Sequence, residues 1–458
     1  MSRLVVVSNR VPNPGSGQPQ AGGLAVALTD ALKRRGGLWF GWNGQLSQSA
    51  VTRPRVAHHE GIDYATLPLA KPDYDDFYLG YANAVIWPVF HFNLGAMDYQ
   101  RRYGEAYRRV NALFADALAP LIEPDDILWV HDYHLMPLAR ELRERGIGNR
   151  IGFFLHIPFP DYDVLRAMPG HRQLLEDLCR FDLLGFQTRN DQHAFEESAD
   201  RAIGALVHAP GALRHRNHPF GTGVYPVGVA VDELARTAAR TLTTNRVRRL
   251  LNGLGERDLM IGVDRLDYSK GLEQRFRAFE ALLEDYPHRR GHTVLMQIAS
   301  PSRSSISEYA DLRQRLEGLA GHINGTYADL DWAPLHYLNR TFARGSIMGL
   351  YRAARVGLVT PLRDGMNLVA KEFVATQDPD NPGVLVLSEL AGAAAELTDA
   401  IRVNPYDIDA IAAGVNQALA MPLPERRRRH EAMMTTLREN DIGAWEQRFL
   451  DDLGVARA

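Results

Sequence analysis

The sequence predicts an α/β protein made of two doubly wound domains of similar size with a cleft between them. Three observations carry that expectation. The chain has 458 residues, more than one hydrophobic core usually serves. Short apolar runs without polar alternation recur along it, as in strands buried on both faces of a parallel sheet. Segments with apolar residues at helical spacing separate the runs and supply the covering layers.

Taken in order, LVVVS (4–8) reads as the first strand, followed by a polar loop. LAVALTDALKRRG (24–36) then sets Leu24, Leu28, Ala31 and Leu32 on one helical face. Further buried strands are expected at ILWV (127–130), IGFFLH (151–156) and LLGFQ (183–187). The clearest boundary lies near 228–240, where one polar helix, DELARTAARTLTTNRVRRLL, follows YPVGVAV. Strands resume at LMIGV (259–263), TVLMQIA (293–299), VGLVT (356–360) and VLVLS (384–388).

Composition narrows the function classes. At 45% hydrophobic and 23% charged residues the chain is an ordinary globular sequence. Its formal net charge of −3 argues against a general binder of nucleic acid. The single cysteine, Cys179, excludes an internal disulfide and suits a reducing compartment. The apolar core of the N-terminus, Leu4 to Val7, is too short for a signal peptide, and no segment approaches the ~20 apolar residues of a membrane span. A cytoplasmic protein with no membrane partner is expected. Only Lys33, Lys71, Lys270 and Lys371 are lysines. Two of them fall in the densest polar motifs, which points to a role for a compact ammonium there.

In doubly wound domains ligands bind beyond the carboxyl ends of strands, so the strand-to-helix junctions carry the chemistry. SNRVPNPGSGQPQAGGL (8–24) offers Arg10 as a phosphate clamp and Gly22-Gly23 before a helix, where free N–H groups favour phosphate. HDYHLMPLAREL (131–142) places Asp132 at a strand end, suited to sugar hydroxyls. Its His131 and His134 lack further ligands at metal spacing. FFLHIPFP (153–160) puts His156 at another strand end, where a lone histidine by itself is more often structural. VDRLDYSKGL (263–272) sets Arg265 and Lys270 five apart, either a cradle for a diphosphate leaving group or a salt-bridge cluster with Asp264 and Asp267. TPLRDGMNLVAKE (360–372) puts Asp364 at a helix mouth and Glu372 two turns in. That layout suits a sugar on Asp364, phosphates on the N–H groups of Met366 to Val369, and a ribose on Glu372.

Other signals carry little. D-x-D occurs at 73–75, 161–163, 329–331 and 407–409, too often to be specific, and none follows a clear buried strand. ERRRRH (425–430) reads as a solvated helix face. The aromatics of FGWNG (40–44) and VIWPVFHFN (85–93) read mostly as core, with Trp87 placed beside Tyr78 as a sugar-lining candidate.

With these junctions assembled, the chain resembles the trehalose-6-phosphate synthases. The motifs are AGGL (21–24), GGLWFGW (36–42), WVHDYHL (129–135), FFLHIPFP (153–160), RLDYSKG (265–271), and TPLRDGMNLVAKE followed by PGVLVLSELAGAA (382–394). The likeness runs from RLVVVSNR (3–10) to DIGAWEQRFL (441–450). It implies a retaining glycosyltransferase of the GT-B fold, with two Rossmann-like domains and the active site in their cleft. The expected bounds are 1–235 for an acceptor domain, 236–438 for a nucleotide-sugar domain, and 439–458 for a helix crossing back to the first.

The implied reaction moves glucose from a nucleoside diphosphate glucose, UDP-glucose ahead of GDP-glucose, to glucose-6-phosphate. By matching motifs, Arg10, Tyr78, Asp132 and Arg303 would hold the acceptor. Gly22, Gly23, Arg265, Lys270, Phe342, Asp364, Asn367, Leu368, Val369, Ala370, Lys371 and Glu372 would hold the donor. Arg265, Lys270, Asp364 and His156 would bear on catalysis, and Trp87 with His156 on anomer choice. One departure is Phe77, which stands where many members carry a second tyrosine. No metal or other cofactor is implied, and the partners are small-molecule substrates. Whether copies assemble as a homo-oligomer stays open. A catalytically silent sugar-phosphate sensor, a cyclitol-coupling pseudo-glycosyltransferase, or an epimerase on the same fold are the alternatives.

Overall fold

The computed structural model describes residues 3–12, 28–29, 31–33, 36–302 and 307–454. The chain forms two compact units, Met1–Pro226 with Gly443–Ala458, and Val227–Ile442. No helix among the described residues is long and apolar enough to cross a membrane.

The first unit is built on a ten-stranded sheet of β1 (Leu4–Arg10), β2 (Gly37–Ser47), β3 (Arg55–His59), β4 (Ile62–Ala70), β5 (Ile127–His131), β6 (Arg150–Phe154), β7 (Leu183–Phe186), β8 (Leu206–Ala209), β9 (Ala212–His215) and β10 (His218–Val224). Their spatial order is β3-β4-β2-β1-β5-β6-β7-β10-β9-β8. The seven strands from β4 to β10 in that order run parallel, and antiparallel strands finish both edges. β1 and β5 are buried almost throughout, as expected of central strands covered on both faces. The chain builds outward from β1 through β2 and then returns to the other flank of β1 with β5. The strand order therefore reverses between β1 and β5, paired from Leu4–Ile127 to Ser8–His131. Loops diverge above such a reversal and leave a crevice at the carboxyl ends.

The second unit repeats the plan in six parallel strands, β11 (Asp258–Arg265), β12 (Thr293–Ser300), β13 (Leu335–Leu338), β14 (Val356–Val359), β15 (Val384–Ser388) and β16 (Ile401–Val403). The order is β13-β12-β11-β14-β15-β16, so its reversal lies between β11 and β14. The two loops above that reversal are Arg265–Gly271 and Thr360–Asn367.

Two expectations change. The single polar helix is two helices, Val231–Leu242 and Asn245–Leu254. The hydroxyls of Thr243 and Thr244 donate to the carbonyls of Arg240 and Thr241, a local alternative to helix bonding that ends the first helix. The D-x-D at 73–75 does follow a buried strand, β4, but Asp73 is buried beneath it and held by Arg109 at 2.6 Å.

Candidate active site

At the first reversal, Arg10 ends β1 and is exposed. Its guanidinium lies 4.9 Å over the Trp42 ring. It is seated by Gly44, whose φ is +83°, and an added Cβ there would fall 1.4 Å from one guanidinium nitrogen. The wide, π-type helix Tyr74–Ile86 brings Tyr74 and Tyr78 onto the same side, stacked at 5.3 Å. Tyr78 also stacks on His134 at 5.7 Å and meets Trp42 at 5.8 Å. An arginine, half-buried aromatic rings and an imidazole thus share one rim. Trp42, Tyr74 and His134 were not singled out as binding residues, because their contacts join segments far apart in sequence.

Asp132 follows β5 with φ +77°, a left-handed conformation rare outside glycine, asparagine and aspartate. That turn sends its carboxylate back across the sheet, where Oδ1 accepts from the His156 backbone N–H at 3.3 Å. Nδ1 of His131 and Nε2 of His156 share a hydrogen bond of 3.1 Å, so only one of them carries the proton. Burial pushes the His156 imidazole down to about 3 and the His131 imidazole well below its usual range, so both are neutral at pH 7. Trp445, from the helix Ile442–Asp452, packs beside both imidazoles.

Trp87 packs against other rings. It is only 4% exposed, stacked on His91 at 4.0 Å and against Tyr133.

At the second reversal, Arg265 ends β11 exposed. Lys270 Nζ lies 2.5 Å from Asp364 Oδ2, and the Asn367 amide donates to the same oxygen at 3.0 Å. The expected salt-bridge alternative does not form at Lys270. Asp267 instead accepts from Ser269 and Tyr309, and Asp264 pairs with Arg275. Asn367 adopts φ +71°, and the helix Leu368–Thr376 opens directly after it. The Ala370 N–H is taken by the Asn367 carbonyl at 3.2 Å, and the N–H groups of Leu368 and Val369 begin the helix as a ready anion mouth.

The loops are fixed to each other. Leu362 N–H donates to the Ser269 carbonyl at 2.8 Å, and Gly271 admits the Thr360 carbonyl where a Cβ would lie 2.2 Å away. Beneath them the fully buried Arg275 bonds Asp264, Gln297 and Thr360, tying β11, β12 and the end of β14 together.

Glu372 sits just over one turn into the helix and receives Arg344 at 3.0 Å. Burial is the larger influence and raises its carboxyl, while Arg344 draws it back. Phe342, just before that arginine, lies under the Arg340 guanidinium at 4.5 Å. Leu368 and Val369 are half-buried on the crevice turn, whereas Ala370 is buried. Lys371 is 0% exposed, its ammonium held by Glu396 at 2.5 Å and the Val227 carbonyl at 2.7 Å. Its side chain is structural, so any donor contact at 371 must come from the backbone. Gly22, Gly23 and Arg303 lie outside the described residues. Among the described residues no group of three or more His, Cys, Asp or Glu side chains is arranged to hold a metal ion.

Comparison with known proteins gives one consistent picture. The model of glycosyltransferase family 20 matches residues 3–454. A trehalose-6-phosphate synthase of Klebsiella pneumoniae is 52% identical over 455 residues, covering 99% of this chain and 95% of that protein. The α,α-trehalose-phosphate synthase (UDP-forming) of Burkholderia xenovorans, solved with glucose-6-phosphate, superposes with a TM-score of 0.96 at 49% identity, covering 99% and 100% of the two chains. An E. coli structure bound with UDP-2-fluoro glucose gives a TM-score of 0.94 at 49% identity, with 99% of each chain covered.

Proposed function

Since the chain belongs to glycosyltransferase family 20, we infer that it is a UDP-forming trehalose-6-phosphate synthase. It moves glucose from UDP-glucose to glucose-6-phosphate with retention at the anomeric carbon. The observation that carries the reading is the Lys270–Asp364–Asn367 cluster at the mouth of the helix Leu368–Thr376, reached by the loop that Arg265 begins. One group there accepts sugar hydroxyls while cations and free N–H groups meet a diphosphate.

We assign the donor to Arg265, Lys270, Asp364, Asn367, Leu368, Val369 and Glu372, with the backbone near Phe342 at the base. Arg10, Tyr78 and Asp132 take the acceptor, the guanidinium on its phosphate. His156 lies by the reacting sugars as a neutral imidazole, able to donate or accept one hydrogen bond without adding charge. In our reading the bond from C1 of the glucosyl group to the β-phosphate oxygen breaks, and the acceptor hydroxyl bonds to C1 on that same face. The hydroxyl proton passes to the departing phosphate oxygen, giving α,α-trehalose-6-phosphate and UDP. Arg265 and Lys270 stabilise the charge growing on that phosphate. These cations and the helix mouth do the work a divalent ion would do, so no metal is required. A cytoplasmic setting completes the reading.

The test is nucleotide release by the purified chain, in EDTA, with glucose-6-phosphate and either UDP-glucose or GDP-glucose. Release that depends on the acceptor and prefers UDP-glucose is expected. Release without acceptor would replace transfer by hydrolysis, and silence with both donors would favour the sensor or the cyclitol-coupling reading.

A further inference from the structure

A basic cavity lies in the Val227–Ile442 unit, lined by none of the residues assigned to the donor. It encloses about 650 Å³ and is lined by Arg236, Arg352, Arg427 and Arg438. The four come from three helices, Val231–Leu242, Arg344–Ala353 and Leu423–Glu439. One carboxylate, Glu431, lines it with them. Arg352 bonds the carbonyls of Thr376 and Gln377 and lies 3.3 Å from Asp378, while Arg427 bonds the Asp380 carbonyl. Neither Arg236 nor Arg438 forms an ion pair among the described residues, and both are exposed. Burial, helped by Arg438, lowers the His430 imidazole, so the positive potential comes from the guanidiniums alone.

A surface helix has no structural need to gather such charge, since like charges repel and destabilise. The floor is apolar, formed by the buried Ala375 and Met434. We propose that this cavity is a binding site for a small molecule bearing more than one phosphate. Arg236, Arg352 and Arg438 meet its oxygens, and Arg427 adds to the field at the far end. Eleven helical residues set Arg427 and Arg438 about 16 Å apart, which suits several charges along one ligand better than a single phosphate. The enclosed volume is that of a small-molecule site. With a formal net charge of −3 the chain is no general polyanion binder, which disfavours nucleic acid. Ala375 lies at the far end of the donor helix Leu368–Thr376 and Gln377 just follows it, so a ligand here touches the element whose other end faces the donor.

The proposal does not rest on the transferase reading, and its test holds the active site constant. Tripolyphosphate is titrated calorimetrically into the full chain at fixed ionic strength, with UDP and glucose-6-phosphate already saturating. One saturable site is expected. The double variant Arg236→Gln, Arg438→Gln should weaken it about tenfold or more, as loss of charge-assisted contacts predicts. A control pair at exposed arginines that do not line the cavity, Arg53→Gln with Arg313→Gln, should leave it unchanged. No saturable binding, equal affinity in the first variant, or equal loss in the control would each overturn the proposal.

Discussion

Gly44→Ala tests the phosphate-gripping role proposed for Arg10 without touching Arg10 itself. A methyl at 44 would lie 1.4 Å from one guanidinium nitrogen and 1.8 Å from Cζ, so the head group must retreat about 2 Å to reach ordinary contact near 3.5 Å. That shift removes it from Trp42 and from an acceptor phosphate. A charge-assisted hydrogen bond is worth roughly 1.5–3 kcal/mol, which converts to about 10- to 150-fold in KM for glucose-6-phosphate. The left-handed backbone, φ +83°, adds a stability cost of about 1–2 kcal/mol, so rates are compared well below the melting transition. Steady-state kinetics at varied acceptor and saturating UDP-glucose read the first effect, and donor KM serves as the internal control. Arg10→Ala completes a cycle in which the double variant should be no worse than Arg10→Ala alone. An acceptor KM within twofold of the parent, or losses that simply add, would refute the reasoning.

If Lys270 is the preorganised cation proposed at the leaving phosphate, Lys270→Met should lower turnover on the order of 10²-fold; single-turnover rates within threefold of the parent would exclude that role. Lys371→Met strands the Glu396 carboxylate with only the Asn440 amide at 3.0 Å, and should cost about 3–5 kcal/mol in urea unfolding. Adding Glu396→Gln should recover most of it, and a double variant as unstable as the single would contradict the pairing. For His131 and His156 the folded pKa values are depressed, so unfolded chains bind more protons as pH falls. The stability they contribute is present above about pH 6.5 and is lost toward the value of about 3 at His156. His156→Gln should flatten the urea midpoint between pH 4 and 7, and an unchanged slope would locate the acid lability elsewhere.

Strands β1, β5, β6, β7, β11, β12, β14 and β15 and the reversal loops were legible because those strands are central, whereas β2, β4, β9 and β10 were not read. Runs such as LVVVS and VLVLS need no alternation when helices cover both faces, and Arg265, Lys270 and Asp364 stand where those runs stop. β3 and β8 stayed hidden since every residue in both is exposed, and β13 and β16 are short edge strands. The wide helix Tyr74–Ile86 has no local sequence signal, so the stack of Tyr74 and Tyr78 under Trp42 was unreadable. Lys371 illustrates a different limit. Four lysines in the chain drew attention to its ammonium, but spacing cannot tell a helix face turned to the crevice from one turned to Glu396. Arg344 was missed for a related reason, as its partner Glu372 is 28 positions away.

Phe449 lies flat on the strand backbones at Gly152 and Gly185, where added Cβ atoms would come within 2.8 Å of its ring, and Trp445 meets Trp129 at 4.9 Å. These rings complete a core whose strands were synthesised long before. At roughly 5–20 residues per second the ribosome takes on the order of tens of seconds to travel from β7 to the last helix. Throughout that interval Trp129 and Phe154 wait uncovered, and all the strands of the Val227–Ile442 segment are made before the covering helix emerges. The unit made first is therefore finished last, and chains released early by a nonsense codon would expose the apolar surface that chaperones and proteases recognise.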